Sequence, residues 1–357
     1  MKIALINDTH FGARNDSPVF LDHFISFFED NFFPYFEEKK IDPVIHLGDF
    51  FDRRKFINFN TLNKTRSQII DVFDEKKINL HILLGNHDTY YKNTNKINSL
   101  TEIIGNKYDN IKIYNEPEVL EMDGLCIGIV PWINAENHDE SIEFLNNCKC
   151  PIIMGHFELN GYEVMKGVKF DGGMSDAPLK RFEMVLSGHF HGKSSKNNVV
   201  YLGTQYEITF GDIHEQRGFH ILDTSTRELK FVPNTDRMFY TLEYNDTDQE
   251  NTESLINSID ESFRDKYVKI VVVNRDKHHL FDSLIEKLYE VNVSDVSVIE
   301  DYREIFNDEE DVDLAQDTLT IINSELESLD VDDVDLDALK KIMRTLYMES
   351  LSDDRHS

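Results

Sequence analysis

Five short hydrophobic runs in this chain each end in a polar residue of a type that binds metal ions. In chain order the runs read KIALIND, PVIHLGD, INLHILLGNHD, PIIMGH and EMVLSGH. Apolar runs of this length, bounded by glycine and polar residues, predict buried β-strands. Apolar residues at helical spacing occur over 17–36 and again over 59–73. Strands that alternate with helices predict an α/β fold for the first part of the chain.

The pattern changes after residue 217. The runs GFHILD and ELKFV predict a final hairpin that completes a first domain, 1–236. Three more strand-like runs, MFYTLEY, YVKIVVV and VSDVSVI, alternate with helical patterns over 252–263 and 278–290. This βαβαβ order predicts a second, small α/β domain over 237–299.

The last part of the chain is first acidic and then amphipathic. Residues 300–312 include the run DEED, which predicts a solvated linker. Residues 313–357 carry two stripes of apolar residues at helical spacing, separated by VDDVD. Helices this short need an apolar partner to be stable. We therefore expect a helix–loop–helix that docks on another protein, although folding back on the same chain stays open.

The residues that end the first five runs form a complete ligand set for two divalent ions. Two such ions can activate water and stabilise the attacking and leaving oxygens of a phosphoryl group. Asp49 is the natural bridge, because each of its carboxylate oxygens can bind one ion. The assignment is Asp8, His10, Asp49 and His191 for one ion, and Asp49, Asn86, His156 and His189 for the other. Imidazole, carboxylate and amide ligands without thiolate favour manganese, iron or zinc, and the sequence does not choose among them.

His87 follows a ligand and is predicted to be catalytic instead. An imidazole beside a bound phosphate can protonate the leaving oxygen, and a carboxylate would fix its tautomer. Asp52 is the first candidate for that carboxylate and Asp88 the second. Basic residues near the same loops are candidates for contact with substrate phosphate or DNA. They are Arg14, Arg53, Arg54, Lys55, Lys92 and Lys193, of which the run from 53 to 55 is equally compatible with a solvated loop.

The motifs DTH, GDFFD, GNHD, GH and GHFH, in this order, resemble those of the calcineurin-like metallophosphoesterase superfamily over roughly residues 1–215. Within it the chain is most similar to the SbcD/Mre nuclease subunits of double-strand-break repair complexes. The resemblance implies a four-layer sandwich of two mixed β-sheets flanked by helices. After this sandwich the resemblance implies a small α/β capping domain, which helps to select the DNA, and then a C-terminal helix–loop–helix. It also implies two Mn²⁺ per chain, with Mg²⁺, Fe²⁺ or Zn²⁺ as possible substitutes.

The same resemblance implies activity and partners. It implies exonuclease activity on duplex DNA and endonuclease activity on single strands, in DNA recombination, replication and repair. An SMC-like coiled-coil ATPase of the SbcC type would bind the C-terminal helices. A second copy of the chain would bind through the helices near 17–36 and 59–73. The first of these helices carries phenylalanines on more than one face, which favours a dimer contact. They are Phe20, Phe24, Phe27, Phe28, Phe32 and Phe36.

Composition limits the alternatives. The net charge is −30, which opposes approach to DNA. From residue 300 to 357 we count 19 acidic and 5 basic residues, so this segment contributes −14. No apolar run is long enough to span a membrane, and no signal peptide precedes the first strand. The three cysteines have no zinc spacing and predict no disulfide framework. We expect a reducing cytoplasm, that of a bacterial host if the chain is phage-encoded.

Two other functions stay open. The element GDFFDR is similar to one in Ser/Thr protein phosphatases, so a phosphatase that acts on phosphoproteins or small phosphomonoesters would use the same ligands. The extra α/β domain and the terminal helices argue against that reading. A non-catalytic scaffold would keep the fold and lose the chemistry, but none of the expected ligand positions is missing.

Overall fold

A computed structural model of the chain describes residues 1–105, 107–165 and 168–300. The chain divides into two compact units, Met1–Met238 and Phe239–Ser357. The boundary lies two residues beyond the one expected from sequence at 236. The expected linker, apart from its first residue, and the expected helix–loop–helix over 313–357 lie outside the described residues.

The strands of the first unit are short, as the hydrophobic runs predict. They are β1 (Lys2–Ile6), β2 (Val44–His46), β3 (Leu80–Leu83), β4 (Ile111–Tyr114), β5 (Glu118–Met122), β6 (Leu125–Val130), β7 (Ile152–Gly155), β8 (Glu163–Met165), β9 (Val168–Lys169), β10 (Met184–Ser187), β11 (Ser194–Lys196), β12 (Val199–Tyr201), β13 (Gly218–Asp223) and β14 (Leu229–Pro233).

Twelve of these strands form two six-stranded sheets, in the orders β14-β13-β1-β2-β3-β4 and β11-β12-β10-β7-β6-β5. In the first sheet β1 to β4 are parallel, and the hairpin β13–β14 adds antiparallel strands at one edge. In the second, β6, β7, β10 and β12 are parallel between antiparallel edges. Strands β8 and β9 form a separate pair. The expected pair of mixed sheets is therefore confirmed.

The apolar side chains of alternate strand positions fill the space between the two sheets. Ile3 and Leu5 of β1 lie in one buried cluster with Ile127 of β6 and Ile152 of β7. Side chains of a strand alternate between its two faces, so the neighbouring residues point to the outer layers. On the outside of the second sheet, Leu145 of a helix packs in a cluster with strand residues of β7 and β10.

Helices cover the outer faces of the sheets. The predicted helix over 17–36 begins at Pro18, directly after Ser17, and its central turn is a π-helix. The predicted helix over 59–73 begins after Asn58, whose side chain accepts a hydrogen bond from Asn60 N at 2.8 Å. The α-helices are Ala13–Asp16, Pro18–Ser26, Phe33–Lys39, Phe59–Thr65, Asp71–Glu75, Ser99–Ile103 and His138–Asn147, with π-helices Phe27–Phe32 and Arg66–Ile70 and 3₁₀-helices Ala177–Leu179 and Phe210–His214.

The phenylalanines of the first long helix are not a free surface. Phe20, Phe24, Phe27, Phe28, Phe32 and Phe36 are each at most 2% exposed. They pack within the chain, for example against Tyr206 and against Phe219 of β13. The argument for a dimer from surplus aromatic residues is therefore wrong, because tertiary packing buries all six of these side chains. The exposed aromatic residues near the second helix are Phe56 and Phe59, at 59% and 88%.

Two of the three cysteines are bonded, contrary to the expectation from sequence. Cys126 of β6 and Cys150, just before β7, form a disulfide with their Cα atoms 4.9 Å apart. The two strands are parallel neighbours, so residues 24 positions apart in sequence lie side by side. Spacing along the chain does not reveal such a neighbour. Cys148 is buried and free.

The second unit is described between 239 and 300. It has the predicted βαβαβ order, with three parallel strands, β15 (Phe239–Asn245), β16 (Tyr267–Asn274) and β17 (Asp295–Glu300). Its helices are Gln249–Asn257 and His278–Glu290, with a 3₁₀ turn at Glu261–Phe263. Leu284 and Leu288 of the second helix pack on Val268 and Ile270 of β16 in its own buried core. Within the described ranges, no helix has the length and apolar character needed to cross a bilayer.

Candidate metal centre

The predicted ligands all follow parallel strands and meet at one edge of the sandwich. Asp8 and His10 come after β1, Asp49 after β2 and Asn86 after β3, all in the first sheet. His156 follows β7 directly, and His189 and His191 follow β10, both in the second sheet. Carboxyl ends of parallel strands point the same way, so the loops of each sheet gather at one edge.

One group of side chains joins Asp8, His10 and His191. One ligand atom of each lies within 4.8 Å of the others. The Nε2 atoms of His10 and His191 are 3.0 Å apart. His10 Nε2 is also 3.9 Å from Asp8 Oδ1 and 3.8 Å from Asp49 Oδ2. These are the residues assigned from sequence to the first ion.

A second group joins Asp49, His156 and His189 under the same distance limit. Asn86 Oδ1 lies 3.0 Å from His156 Nε2 and 3.0 Å from His189 Nδ1. His156 Nε2 lies 3.4 Å from Asp49 Oδ2. The structure therefore brings together the residues assigned to the second ion, with Asp49 in reach of both groups. Asp49 also forms a third group with His10 and His87, a residue not expected among the ligands.

The buried charges of the two groups compensate one another. Burial by itself would raise the pKa of Asp49, but His156, His87 and His10 outweigh it and hold that pKa well below its ordinary value. Burial lowers the pKa of His156, but the carboxylates of Asp49 and Asp8 raise it to about 9. The site thus demands positive charge beside its carboxylates.

The donor set fits divalent cations. His156 Nδ1 lies 2.7 Å from the carbonyl of Leu47, which can only accept, so Nδ1 carries the proton. Nε2 then faces the oxygens of Asn86 and Asp49, where it carries a proton or binds a cation in place of that proton. A proton on Nε2 or a bound cation supplies the positive charge that these buried oxygens need, so a divalent ion fits in place of the proton. A histidine whose other nitrogen donates to a carbonyl is also the usual arrangement for a metal ligand.

The ligand loops have unusual backbone conformations. The backbone φ is positive at Asp8 (49°), His10 (44°), Asp49 (59°) and His189 (87°). Non-glycine residues avoid this region, and such outliers are concentrated at functional sites. Gly85 is needed for a different reason, because a Cβ there would lie 2.1 Å from Asp49 Oδ1.

Asp88 holds two of these loops together. Its buried carboxylate accepts hydrogen bonds from the backbone N–H groups of Asp49 at 2.9 Å, Phe50 at 3.0 Å and Phe51 at 3.4 Å. It also accepts one from Gly85 N at 2.8 Å. Burial, followed by the charge of Asp49, raises the pKa of Asp88 to about 7. From the sequence, Asp88 was only the second candidate to orient His87. Sequence reasoning missed the role of this carboxylate in holding the two loops together.

The pairing of His87 with Asp52 differs from the prediction. His87 Nδ1 lies 2.5 Å from the backbone carbonyl of Asp52. The Asp52 carboxylate lies 3.1 Å from His10 Nδ1 instead. The backbone N–H of His87 donates to Asp49 Oδ1 at 2.7 Å. The Asp52 residue therefore contacts His87 through its backbone and not through its carboxylate. A backbone carbonyl fixes the tautomer of an imidazole as well as a carboxylate does.

The candidate phosphate-binding residues differ in how they are engaged. Arg53 lies 3.3 Å from Asp16 and its guanidinium stacks over Phe56, so part of its charge is compensated within the chain. Arg14 donates to the carbonyl of Ile208 at 3.1 Å. Lys55 and Lys92 are exposed. The remaining two are Arg54, which is partly buried, and Lys193, whose ammonium lies 3.7 Å from the centre of the Phe231 ring.

Two residues beside the centre were not predicted. Trp132 has its ring centre 5.4 Å from that of His189 and 6.0 Å from that of His156. Glu158 Oε1 lies 3.5 Å from His189 Nε2. The sequence does contain a signal for Trp132. The residue ends the strand-like run LCIGIVPW, as the ligands end theirs, but this run carries no ligand motif.

Comparison with solved structures gives weak likenesses. A structure described as a novel archaeal phosphodiesterase has a TM-score of 0.31 and 16% identity, covering 66% of this chain and 100% of that one. GAP50, the anchor in the inner membrane complex of Plasmodium, has a TM-score of 0.40 and 13% identity, covering 83% and 97%. These TM-scores are too low to support an inference.

Comparison of sequences is decisive for the family. Residues 1–193, more than half of the chain, match the model of the calcineurin-like phosphoesterases. Exonuclease subunit 1 of Enterobacteria phage T4 is 33% identical over 357 residues, covering 98% of this chain and 99% of that protein. The chain belongs to the calcineurin-like phosphoesterase family.

Proposed function

We propose that this chain is a metal-dependent DNA nuclease and the nuclease subunit of a larger complex. The observation that carries the proposal is the position of Asp49, within reach of two groups of ligand side chains. A centre of this kind suits cleavage of phosphate esters. The phage relative, an exonuclease subunit similar over nearly the whole chain, supports DNA as the substrate.

The proposed ligands are those assigned from sequence. Asp8, His10, Asp49 and His191 would hold one ion, and Asp49, Asn86, His156 and His189 the other. Two divalent ions bound there would supply a nucleophile from water near neutral pH and stabilise charge on phosphoryl oxygens. The ligand types favour manganese, iron or zinc. The family resemblance supports Mn²⁺ among these, with Fe²⁺, Zn²⁺ or Mg²⁺ as substitutes.

His87 is the proposed proton donor to the leaving 3′-oxygen. The Asp52 carbonyl keeps the proton on Nδ1, so Nε2 is the atom that exchanges a proton with the substrate. The Asp52 carboxylate orients the ring of His10 through Nδ1 and directs Nε2 toward His191. Asp52 thus has a positioning role for two histidines.

The substrate and partner details are proposed from the family resemblance. They are exonuclease activity on duplex DNA, endonuclease activity on single strands, and a role in recombination, replication and double-strand-break repair. Lys55, Lys92 and Lys193 are the exposed cations proposed to contact phosphate, with Arg14, Arg53 and Arg54 as further candidates. The unit that begins at Phe239 is proposed as a capping domain for DNA selection.

A second copy of the chain is a proposed partner. The surface for it is the start of the helix at Phe59, where Phe56 and Phe59 expose 59% and 88% of their area. Large exposed aromatic residues are enriched at interfaces between subunits. An SMC-like ATPase of the SbcC type is the second proposed partner, bound by residues 313–357.

The first experiment tests the nuclease function. The purified chain with Mn²⁺ is incubated with an end-labelled DNA duplex and, separately, with a phosphomonoester. We expect stepwise shortening of the DNA that the Asp49→Asn variant does not show, because that change removes charge from the shared ligand. Hydrolysis of the monoester while DNA survives, even with the ATPase subunit and ATP present, would make the chain a phosphatase. Metal content near zero would make it a scaffold.

The second prediction concerns the space around Asp49. Gly85→Ala places a Cβ 2.1 Å from Asp49 Oδ1, so one ligand group must move. We expect at least tenfold weaker Mn²⁺ binding by calorimetry, with the chain still folded. Gly172→Ala is the control, since the atoms nearest to its Cβ would be those of the Phe170 ring, the closest at 3.0 Å. Equal affinity in both variants would contradict the close approach of Gly85 to Asp49.

The third prediction separates His87 from the ligands. His87→Ala should keep both metal ions and lose turnover by about 10²–10⁴-fold, the usual contribution of a general acid. Metal content and rate are measured on the same sample, beside the exposed control His279→Ala. Loss of one ion per chain would instead make His87 a ligand, as its distance to His10 and Asp49 would permit.

The fourth prediction concerns the C-terminal segment. Removal of residues 313–357 should leave basal nuclease activity and abolish co-purification of the SbcC-type ATPase. In the full chain, Leu339→Ser should weaken that binding, because Leu339 lies on the apolar stripe of the predicted helix. Lys341→Ser, on the opposite face of the same predicted helix, is the matched control. Undiminished ATPase binding by the truncated chain would refute the docking role.

A further inference from the structure

A cavity of about 420 Å³ opens beside the candidate metal centre. His156, a proposed ligand, forms part of its wall. Glu158, which approaches His189, forms another part. The volume lies within the range of about 300–1,000 Å³ that is typical of small-ligand sites. A group bound in this cavity would therefore be next to a phosphate held at the centre.

The cavity wall is aromatic and rigidly held. Trp132 lines it, and its ring also contacts the rings of His156 and His189. The backbone N–H of Trp132 donates to the Leu84 carbonyl at 2.8 Å. Its own carbonyl accepts from the side chains of Asn95 and Asn137, each at 3.0 Å. These bonds fix the backbone of Trp132, and its ring lies against the two histidines.

The chemistry of the lining selects the class of ligand. Ile133, Phe157 and Met174 add apolar surface to that of Trp132. Asp139 and Glu158 are its acidic groups, and no lysine or arginine is found among the described residues that line it. Phosphate would be repelled by these carboxylates. A flat, uncharged ring with amino groups can stack on the indole and donate to carboxylate oxygens.

We propose that this cavity is a nucleobase subsite, in which the base next to the cleaved phosphate stacks against Trp132. The proposal rests on the proposed function and deepens it, because it names the part of the substrate that the enzyme binds beside the phosphate. Stacking on an aromatic side chain tolerates every base, so the subsite would favour an unpaired or frayed end over a particular sequence.

Trp132 is the only tryptophan of the 357 residues, so its fluorescence reports directly on the cavity. A short, nuclease-resistant phosphorothioate oligonucleotide is titrated into the Mn²⁺-loaded chain at low salt. The matched probe has the same backbone with abasic sites throughout. We expect quenching by the first probe and at most a small change with the second. Equal responses, or none from either probe, would overturn the subsite.

A kinetic measurement tests the same cavity from the substrate side. A DNA strand with an abasic site at the cleaved position should show KM raised about tenfold or more with kcat little changed, because stacking stabilises ground and transition states alike. Trp132→Ala should abolish this difference and Trp132→Phe should preserve most of it. Val119→Ala, at an exposed apolar residue of β5, is the control.

The outcomes distinguish the two proposals. Cleavage of DNA without any dependence on the base would leave the nuclease function standing and refute the subsite. Base-dependent quenching in a chain that cleaves no DNA would keep the subsite and refute the nuclease function. A loss of Mn²⁺ binding in Trp132→Ala would assign the residue to support of the ligands, and the abasic substrate then decides the proposal with the unaltered chain.

Discussion

The buried carboxylate of Asp88 is the interaction on which the centre depends most. It accepts backbone N–H groups from Gly85 and from the loop at Asp49, and so joins the turns after β2 and β3. Four N–H groups that would otherwise be buried without partners are satisfied by one side chain. With these turns fixed, Asp49 can face both groups of ligands, and His87 N can donate to it.

The second constraint is electrostatic. A cluster of buried carboxylates and imidazoles is stable only when positive charge lies among the oxygens, which protons on His156 or bound cations can supply. The chain as a whole carries −30, and Arg53 is partly neutralised by Asp16. Long-range attraction would therefore contribute little to the proposed DNA binding. On our proposals, affinity comes from the cations of the centre, a few exposed lysines and stacking of a base on Trp132.

The phenylalanine-rich helix affects the site from a distance. Phe24 stacks on Tyr206 with ring centres 3.9 Å apart, and the Tyr206 hydroxyl donates to the Thr9 carbonyl at 2.6 Å. Thr9 lies between Asp8 and His10, so packing of the helix fixes the loop that carries two proposed ligands. The Asp8 carboxylate in turn accepts the backbone N–H of His189, which ties the first sheet to the second.

The sequence by itself determined the strands, the order of the two domains and the chemical types of the proposed ligands. Hydrophobic runs and the polar residues that end them are local features, so they can be read along the chain. It also placed Asp8, Asp49 and His156 at strand ends, which the parallel sheets then brought together. Tertiary structure alone decided which side chains became partners. The Asp52 carboxylate lies next to His10, and the Cys126–Cys150 bond joins two neighbouring strands. The phenylalanines of the first long helix are buried. These pairings join residues far apart in the chain, and only the packing of whole elements fixes such distances.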